Sequence, residues 1–431
     1  MKKWICILLV LIVIWSLAAG CQPSDNGNMP TEPPTEPPTE PPTEPPTEPP
    51  TEPPTEAPAG PDPNDTTVIV SELWDGGPVR WTLTANGVLT ISGNRSVQEF
   101  VSYKWKAYAD MITKVVIEDG ITNIPKDGFS GLPNLTSVYI GNAVTKIGER
   151  AFADCPALAS VLIPENVEKI GSYAFYRCSG LAFVEFSEKS NLRSIGQYAF
   201  AESGLRVFTS PASDHVIYSY AFYGCCDLEY VCLKDGVSEL VSGAFEDCTG
   251  LKVLILGESI TSNVPSAFRN CKAITRLEND SAISGFSDLP YLRSLVIGGT
   301  RKKSGRYQNC PLLSDVTILA PIKEITGAAF EGCTSLTYLE IPDTVTTIGS
   351  SAFRDTGLNK ITIPASVSKI ELSVFYGSSL KEVVFVGDAP ELDNNNAFAG
   401  LCATVYYPAA NETWTEEVRQ SFEGTLEWIA Y

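Results

Sequence analysis

Histidine is almost absent from this sequence, and its scarcity excludes several kinds of active site. The 431 residues include 12 cysteines but a single histidine, His215, and no Cys-x-x-Cys pair. The usual ligand sets for zinc are therefore missing, and the sequence predicts no metal and no cofactor. A serine–histidine triad would have to use His215, but no Gly-x-Ser-x-Gly motif marks a nucleophile. His215 is instead predicted to be a loop residue.

Basic side chains are also few relative to acidic ones. The chain has 31 lysines and arginines against 51 aspartates and glutamates, for a formal net charge of −20. Residues 1–63 hold two basic and nine acidic side chains, which leaves about −13 for the remainder. Phosphate binding requires clustered Lys and Arg, so no nucleic-acid partner is predicted. The carboxylates are spread along the chain and single out no pair for glycoside hydrolysis, so we predict no enzyme.

The longest apolar run lies at the N-terminus, over residues 4–15, after Lys2 and Lys3. It ends in Leu-Ala-Ala-Gly-Cys, which resembles the lipobox of bacterial lipoproteins, where the cysteine becomes the acylated N-terminus. A transmembrane helix is the alternative, but about 17 residues are marginal for spanning a bilayer. We therefore predict a signal peptide over residues 1–20 and a lipid anchor at Cys21 on the extracellular face of the bacterial membrane.

An acidic, proline-rich segment follows the cysteine. Sixteen of the 31 prolines fall between Pro30 and Pro63, in repeats of Thr-Glu-Pro-Pro with a glutamate every fourth residue. Such a segment has little apolar surface to bury and favours an extended polyproline II path. Residues 21–63 are predicted to form a stalk that reaches on the order of 100 Å from the membrane, at roughly 3.1 Å per residue.

The remainder of the chain is a repeat array. A phenylalanine, or once a tyrosine, recurs every 18 to 25 residues as an anchor, most often after alanine. The thirteen anchors are Phe129, Phe152, Phe175, Phe200, Phe222, Phe245, Phe268, Phe286, Tyr307, Phe330, Phe353, Phe375 and Phe398. A period near 23 residues predicts a solenoid, because no single unit can bury its apolar side chains alone.

Each unit follows the pattern Leu-x-x-Val-x-Ile, then Val-x-x-Ile-Gly, then Ala-Phe-x-x-Cys, as in Leu158, Val161, Ile163, Val167, Ile170, Gly171, Phe175 and Cys178. This unit resembles the BspA-like leucine-rich repeats of bacterial and some protist surface proteins, over about residues 115–402. The resemblance implies a β-rich leucine-rich-repeat solenoid of about 13 stacked units. It also implies adhesion to host proteins or to other cells, since family members are associated with that role.

Caps are predicted at both ends, because a terminal repeat would otherwise expose apolar surface. At residues 64–114, two alternating runs around Asn86-Gly87 predict a β-hairpin with a type I′ turn. At residues 403–431, Thr413 and Glu416 predict a capping box, and the terminal Leu-Glu-Trp-Ile-Ala-Tyr predicts a strand. A helix is predicted between them from Trp414, Val418 and Phe422, with Gly424 at its end.

Seven cysteines lie three residues after an anchor. Stacked units would place these side chains about 4.8 Å apart with parallel Cβ vectors, which does not suit a disulfide. We predict buried free thiols, and we leave disulfides open for Cys225, Cys226 and Cys232. The seven residues are Cys155, Cys178, Cys225, Cys248, Cys271, Cys310 and Cys333.

The outward positions of the predicted strands are the candidate binding surface. Two side chains per unit point away from the core, since strand side chains alternate faces. From unit to unit these positions are unusually apolar in one stretch, and contiguous exposed apolar patches mark interaction sites. The candidate ligand-binding residues are Leu162, Phe183, Val207, Tyr230, Val253 and Ile255.

Two kinds of ligand remain open. The first is an extracellular protein, bound by an adhesin or protein-binding module. The second is a glycan captured by exposed aromatics with polar neighbours, such as Phe183, Tyr230 and Tyr338.

Overall fold

The computed structural model describes residues 62, 64–74, 77–94, 103–234, 236–392, 396–419 and 424–431. The predicted signal peptide, Cys21 and nearly all of the predicted stalk lie outside these residues. Within the described part, no helix has both the length and the apolar character needed to cross a membrane.

The described residues contain 27 strands and two short 3-10 helices, Lys104–Met111 and Pro265–Phe268. The first nine strands are β1 (Val68–Leu73), β2 (Arg80–Thr84), β3 (Val88–Ser92), β4 (Lys114–Ile117), β5 (Asn123–Ile124), β6 (Ser137–Ile140), β7 (Lys146–Ile147), β8 (Ser160–Ile163) and β9 (Lys169–Ile170). The next nine are β10 (Phe183–Phe186), β11 (Ser194–Ile195), β12 (Val207–Thr209), β13 (His215–Ile217), β14 (Tyr230–Leu233), β15 (Val237–Leu240), β16 (Val253–Leu256), β17 (Arg276–Asn279) and β18 (Ser294–Ile297). The last nine are β19 (Asp315–Ile318), β20 (Glu324–Ile325), β21 (Thr347–Ile348), β22 (Lys360–Ile363), β23 (Lys369–Ile370), β24 (Glu382–Phe385), β25 (Glu391–Leu392), β26 (Cys402–Tyr407) and β27 (Thr425–Ala430).

The strands form two walls of one solenoid. The first, which we call the strand wall, comprises sheets in the order β1-β2-β3-β4-β6, then β8-β10-β12-β14-β16-β17-β18-β19, then β22-β24-β26-β27. The second wall holds the shorter strands, in the orders β5-β7-β9-β11-β13-β15 and β20-β21-β23-β25. Apart from β1–β2 and β2–β3, the pairings are parallel and join one unit to the next. This confirms the predicted β-rich leucine-rich-repeat solenoid.

A ladder of aromatic rings fills the core between the walls. All thirteen predicted anchors are buried, and most consecutive rings are stacked. The Phe152 and Phe175 centroids are 5.4 Å apart with an interplanar angle of 10°, and those of Phe175 and Phe200 are 5.2 Å apart at 1°. Trp105 stacks on Phe129 at 5.6 Å and extends the ladder beyond the first anchor. The phenylalanine period in the sequence therefore becomes a continuous apolar column.

The glycine of each Ile-Gly pair allows successive units to approach closely. A Cβ added to Gly171 would lie 2.6 Å from the carbonyl carbon of Gly148, and one added to Gly196 would lie 2.6 Å from the Ser172 nitrogen. Real Cβ atoms do not approach backbone so closely, so a side chain here would push the turns apart.

The predicted type I′ turn is wrong in type, although β2 and β3 pair antiparallel. A type I′ turn needs positive φ at both central residues, but Asn86 does not have positive φ, whereas Gly87 has φ of 80°. The Gly87 N–H donates to the Thr84 carbonyl at 2.9 Å. The connection is therefore a three-residue loop that ends in a left-handed glycine.

The predicted C-terminal helix is absent from its described part, residues 413–419, which forms turns. The Thr413 hydroxyl accepts a hydrogen bond from the Ala389 N–H at 2.8 Å and lies 2.6 Å from Asn411 Oδ1. These contacts with the preceding turns replace the predicted capping box with Glu416. Phe422 lies outside the described residues. The predicted terminal strand is β27, which pairs parallel with β26.

His215 is not the loop residue predicted from the sequence. It begins β13 and is buried, with Nδ1 2.6 Å from the Ser213 carbonyl oxygen. Burial lowers the pKa of His215 from its ordinary value of 6.5, against the opposing effects of the Ser213 carbonyl and Asp214. The His215 side chain is therefore packed inside the second wall.

Candidate binding surface

The strand wall places two side chains of each unit on its outer face. In β8, Val161 and Ile163 are buried while Ser160 and Leu162 are exposed, and β22 repeats this pattern. Parallel pairing keeps equivalent positions side by side, so that Phe183 is paired with Ser160 on one side and with Val207 on the other. The outer face is therefore a grid whose rows run along the solenoid axis.

The six predicted ligand-binding residues divide into three groups. Leu162 and Phe183 are 56% and 41% exposed, as the sequence predicts for an accessible surface. Val207 and Val253 are half-buried. Tyr230 and Ile255 are 4% and 3% exposed, so the prediction that they are accessible is wrong.

Paired residues on adjacent strands flank the buried Tyr230 and Ile255. Tyr230 is paired between Val207 and Val253, and Ile255 stands opposite Glu278 in β17. Glu278 is itself held by Lys234 and Arg276. Tyr230 and Ile255 are not part of the continuous hydrophobic core. This agrees with the alternation of side chains along β14 and β16, which assigns both residues to the outer face of the strand wall.

The accessible apolar residues lie closer to the N-terminus than the sequence predicts. Tyr139 in β6 is 46% exposed and occupies the same position in its unit as Leu162. Tyr139, Leu162 and Phe183 thus present one large apolar side chain from each of three consecutive units, and we call these three residues the apolar patch. Ser137, Ser160 and Glu185 surround it as exposed polar neighbours.

The seven predicted cysteines are all buried, as expected, and none of the described cysteines forms a disulfide. Burial raises the pKa of Cys155 and Cys310 to about 11 and that of Cys333 to about 12. Thiols with such pKa values are poor nucleophiles at neutral pH. Of the residues left open, Cys226 is exposed and has no disulfide partner. The described residues contain no cluster of His, Cys, Asp and Glu that could hold a metal ion.

A tyrosine cluster was missed by the sequence reasoning. Tyr173, Tyr198 and Tyr220 stack on one another, with ring centroids 4.9 and 5.1 Å apart, two residues before three consecutive anchors. Their φ angles are 60°, 55° and 60°, a left-handed conformation that bulky residues seldom adopt. Burial raises the pKa of Tyr198, with smaller contributions from the other two phenols. The repeated Tyr-Ala-Phe in the sequence was the signal that could have revealed this ladder.

The repeat itself matches a known family. The family model described as "BspA type Leucine rich repeat region" matches residues 102–226, 215–289 and 302–425, which together cover most of the chain. The chain belongs to this family. Leucine-rich-repeat proteins of this kind are typically binding modules rather than enzymes.

Several solved structures are similar to this BspA-type chain at low sequence identity. A leucine-rich repeat protein from Bacteroides ovatus is 19% identical, covers 84% of this chain and 98% of its own, and gives a TM-score of 0.46. A leucine rich cell surface protein from Faecalibacterium prausnitzii is 20% identical, covers 74% of this chain and 95% of its own, and gives a TM-score of 0.26. The pneumococcal vaccine antigen PcpA is 18% identical, covers 85% of this chain and 100% of its own, and gives a TM-score of 0.35. No curated protein matches the chain significantly.

Proposed function

We propose that the protein is a lipid-anchored cell-surface adhesin that binds an extracellular protein through the apolar patch. The observation that carries this proposal is the exposure of Tyr139, Leu162 and Phe183 on the outer face of three consecutive units of the strand wall. Phe183 is paired with Ser160 and so lies diagonal to Leu162 on the adjacent strand. Single exposed apolar residues are ordinary, but neighbouring ones rimmed by polar groups are typical of an interaction surface.

The composition of the apolar patch favours a protein ligand. It combines two aromatic rings with a leucine, and aromatic side chains near the centre of a contact carry much of the binding energy. Because the apolar patch itself contains no charged residue, removing water from it on binding costs little free energy. Ser137 and Ser160 at its edge supply hydroxyl groups for a polar rim.

The proposed location rests on the sequence of the N-terminal segment. The apolar run, the Leu-Ala-Ala-Gly-Cys ending and the acidic proline-rich repeats together describe an anchor and a spacer. A binding rod held away from a membrane in this way can meet ligands on other surfaces, which is the task of an adhesin.

The experiment compares ligand binding by the native chain and by a double variant, Leu162→Ser with Phe183→Ser. Both are presented as full-length protein to a panel of purified extracellular-matrix proteins on a biosensor. We expect at least one matrix protein to bind the native chain and to lose at least tenfold in affinity for the double variant, about 1.4 kcal/mol.

Leu319→Ser is the matched control, because Leu319 is 71% exposed but lies outside the apolar patch. It should leave binding unchanged. The proposal fails if no matrix protein binds, or if the double variant binds as tightly as the native chain while its circular dichroism spectrum is unaltered.

A further inference from the structure

Within the described residues, one unit in the C-terminal half of the solenoid contributes no strand to the strand wall. Residues 338–341 occupy the strand position between β19 and β22, and Leu339 and Ile341 are buried like their counterparts in other units. Among the described pairings, however, this segment joins neither neighbour, since one sheet ends at β19 and the next begins at β22. Just before this segment, the Asn359 N–H donates to the Thr337 carbonyl over a long distance of 3.5 Å.

A groove of about 760 Å³ opens on the outer face at this interruption. Its volume lies within the range of small-molecule binding sites. It crosses three units, and the residues used below are Tyr338, Glu340, Asp343, Thr362, Ser366 and Val386.

Several polar groups in the groove have no partner within the described chain. Glu340 and Asp343 are exposed, and neither makes a hydrogen bond or an ion pair to a described residue. The Ser366 hydroxyl is buried and also lacks a hydrogen-bond partner there. Lys360 is different, because its ammonium lies 2.8 Å from Glu382 Oε2. The uncompensated lining is therefore acidic and rich in acceptors.

Tyr338 supplies an open aromatic face beside these acceptors. It is 69% exposed, and within the described part of the chain no aromatic ring or cation lies against it. Its ring offers an apolar face with a polar hydroxyl at the edge, which suits a ligand that has both apolar and hydroxyl surface. Thr362 and Val386 continue the groove into the next two units with one hydroxyl and one apolar side chain.

These groups define the chemistry of a matching ligand. Two free carboxylates attract hydroxyl donors and repel anions, while a tyrosine face accepts the apolar C–H surface of a sugar ring. An uncharged chain of sugars offers both, with hydroxyl groups at its edges and C–H groups on its faces. We propose that this groove binds a neutral oligosaccharide, with one sugar ring on Tyr338 and hydroxyl groups directed to Glu340, Asp343 and Ser366.

This site is separate from the apolar patch, and the proposal does not depend on a protein ligand. The test uses the full chain in isothermal titration with cellohexaose, xylohexaose, mannohexaose, maltohexaose and chitohexaose. A heparin hexasaccharide is the acidic probe. We expect at least one neutral hexasaccharide to bind and the heparin fragment not to bind.

Substitutions then locate the site. Tyr338→Ala should weaken binding of that hexasaccharide at least tenfold, and Glu340→Gln, which preserves shape, should weaken it severalfold. Tyr139→Ala is the matched control, because it removes an exposed tyrosine from the same wall outside the groove, and it should have no effect. Leu162→Ser with Phe183→Ser should also leave saccharide binding intact, which separates this site from the proposed protein contact.

Three results would overturn the proposal. These are binding of none of the neutral hexasaccharides, preferential binding of the heparin fragment, and full affinity in both Tyr338→Ala and Glu340→Gln. If Tyr338→Ala lowers the melting temperature, Glu340→Gln decides the outcome, since its carboxylate makes no contact within the described chain that folding would require.

Discussion

The Cys178 thiol donates a hydrogen bond to the carbonyl oxygen of Phe152, the anchor one unit earlier, at 3.1 Å. Equivalent bonds join Cys248 to the Phe222 carbonyl at 3.2 Å and Cys271 to the Phe245 carbonyl at 3.1 Å. The cysteine position therefore does more than fill space, since it satisfies a buried carbonyl in the neighbouring unit. The column of thiols follows the column of rings along the solenoid.

This arrangement predicts which thiols react. At about pH 8, iodoacetamide should label Cys226 and Cys402, which are exposed, but not Cys155, Cys310 or Cys333 in the folded protein. Burial raises the pKa of these three to about 11 or 12, so almost none of each thiol is ionised. Peptide mass spectrometry after native labelling measures the modification at each site. Rapid labelling of the three before unfolding would contradict the buried column.

The ring ladder predicts a large effect of one truncation. The Phe245 ring lies 4.6 Å from that of Phe222 and 5.4 Å from that of Phe268, centroid to centroid. Phe245→Ala should lower the free energy of unfolding by about 3–5 kcal/mol, because a buried cavity replaces the ring. In a stack whose units contact only their neighbours, the transition should also broaden or split. Urea denaturation followed by circular dichroism measures both effects.

The control for this truncation is Leu319→Ala, which removes an exposed side chain and should change the free energy of unfolding by less than about 0.5 kcal/mol. A Phe245→Ala effect below about 1 kcal/mol would mean that the ladder does not support the fold as described.

The features that the sequence predicted correctly are those that the period determines. The thirteen anchors recur with every unit, and the seven cysteines occupy one fixed position in seven of those units, so their burial follows from stacking. The wrong predictions concern residues whose conformation or exposure depends on contacts with neighbouring segments. Thr413 bonds to Ala389 and Asn411 instead of capping a helix, and Tyr230 is covered despite its outward position. A repeat pattern cannot show such contacts.

The groove illustrates the same limit. Tyr338 fits the outward position of its unit in sequence, and its exposure confirms that placement. The loss of pairing between residues 338–341 and both adjacent strands has no signature in the repeat, because Leu339 and Ile341 match the pattern. The site depends on spacing between units, which is a property of the folded stack.

The lipid anchor is tested by one substitution outside the described residues. Cys21→Ala removes the thiol that acylation requires, so the variant should remain unprocessed or leave the membrane fraction. Fractionation in the native host, with immunoblotting for mass and location, measures the change. Cys6→Ala is the control, because that cysteine lies within the apolar run and should be dispensable. Normal processing and membrane retention of Cys21→Ala would rule out the anchor.

The buried histidine predicts an acid-dependent loss of stability. Burial lowers the pKa of His215 below 6.5, so the folded state favours the neutral ring. The contribution of the neutral ring to the free energy of unfolding is therefore present above the pKa of the unfolded state. It is lost as the pH falls through the lowered pKa of the folded state. In urea unfolding between about pH 7.5 and about pH 5, the native chain should lose more stability than His215→Gln, by roughly 1.4 kcal/mol for each unit of pKa shift. The carboxylates titrate in both proteins, so the difference isolates the ring. Equal pH dependence in the two proteins would show that His215 is accessible to protons and water in the folded solenoid.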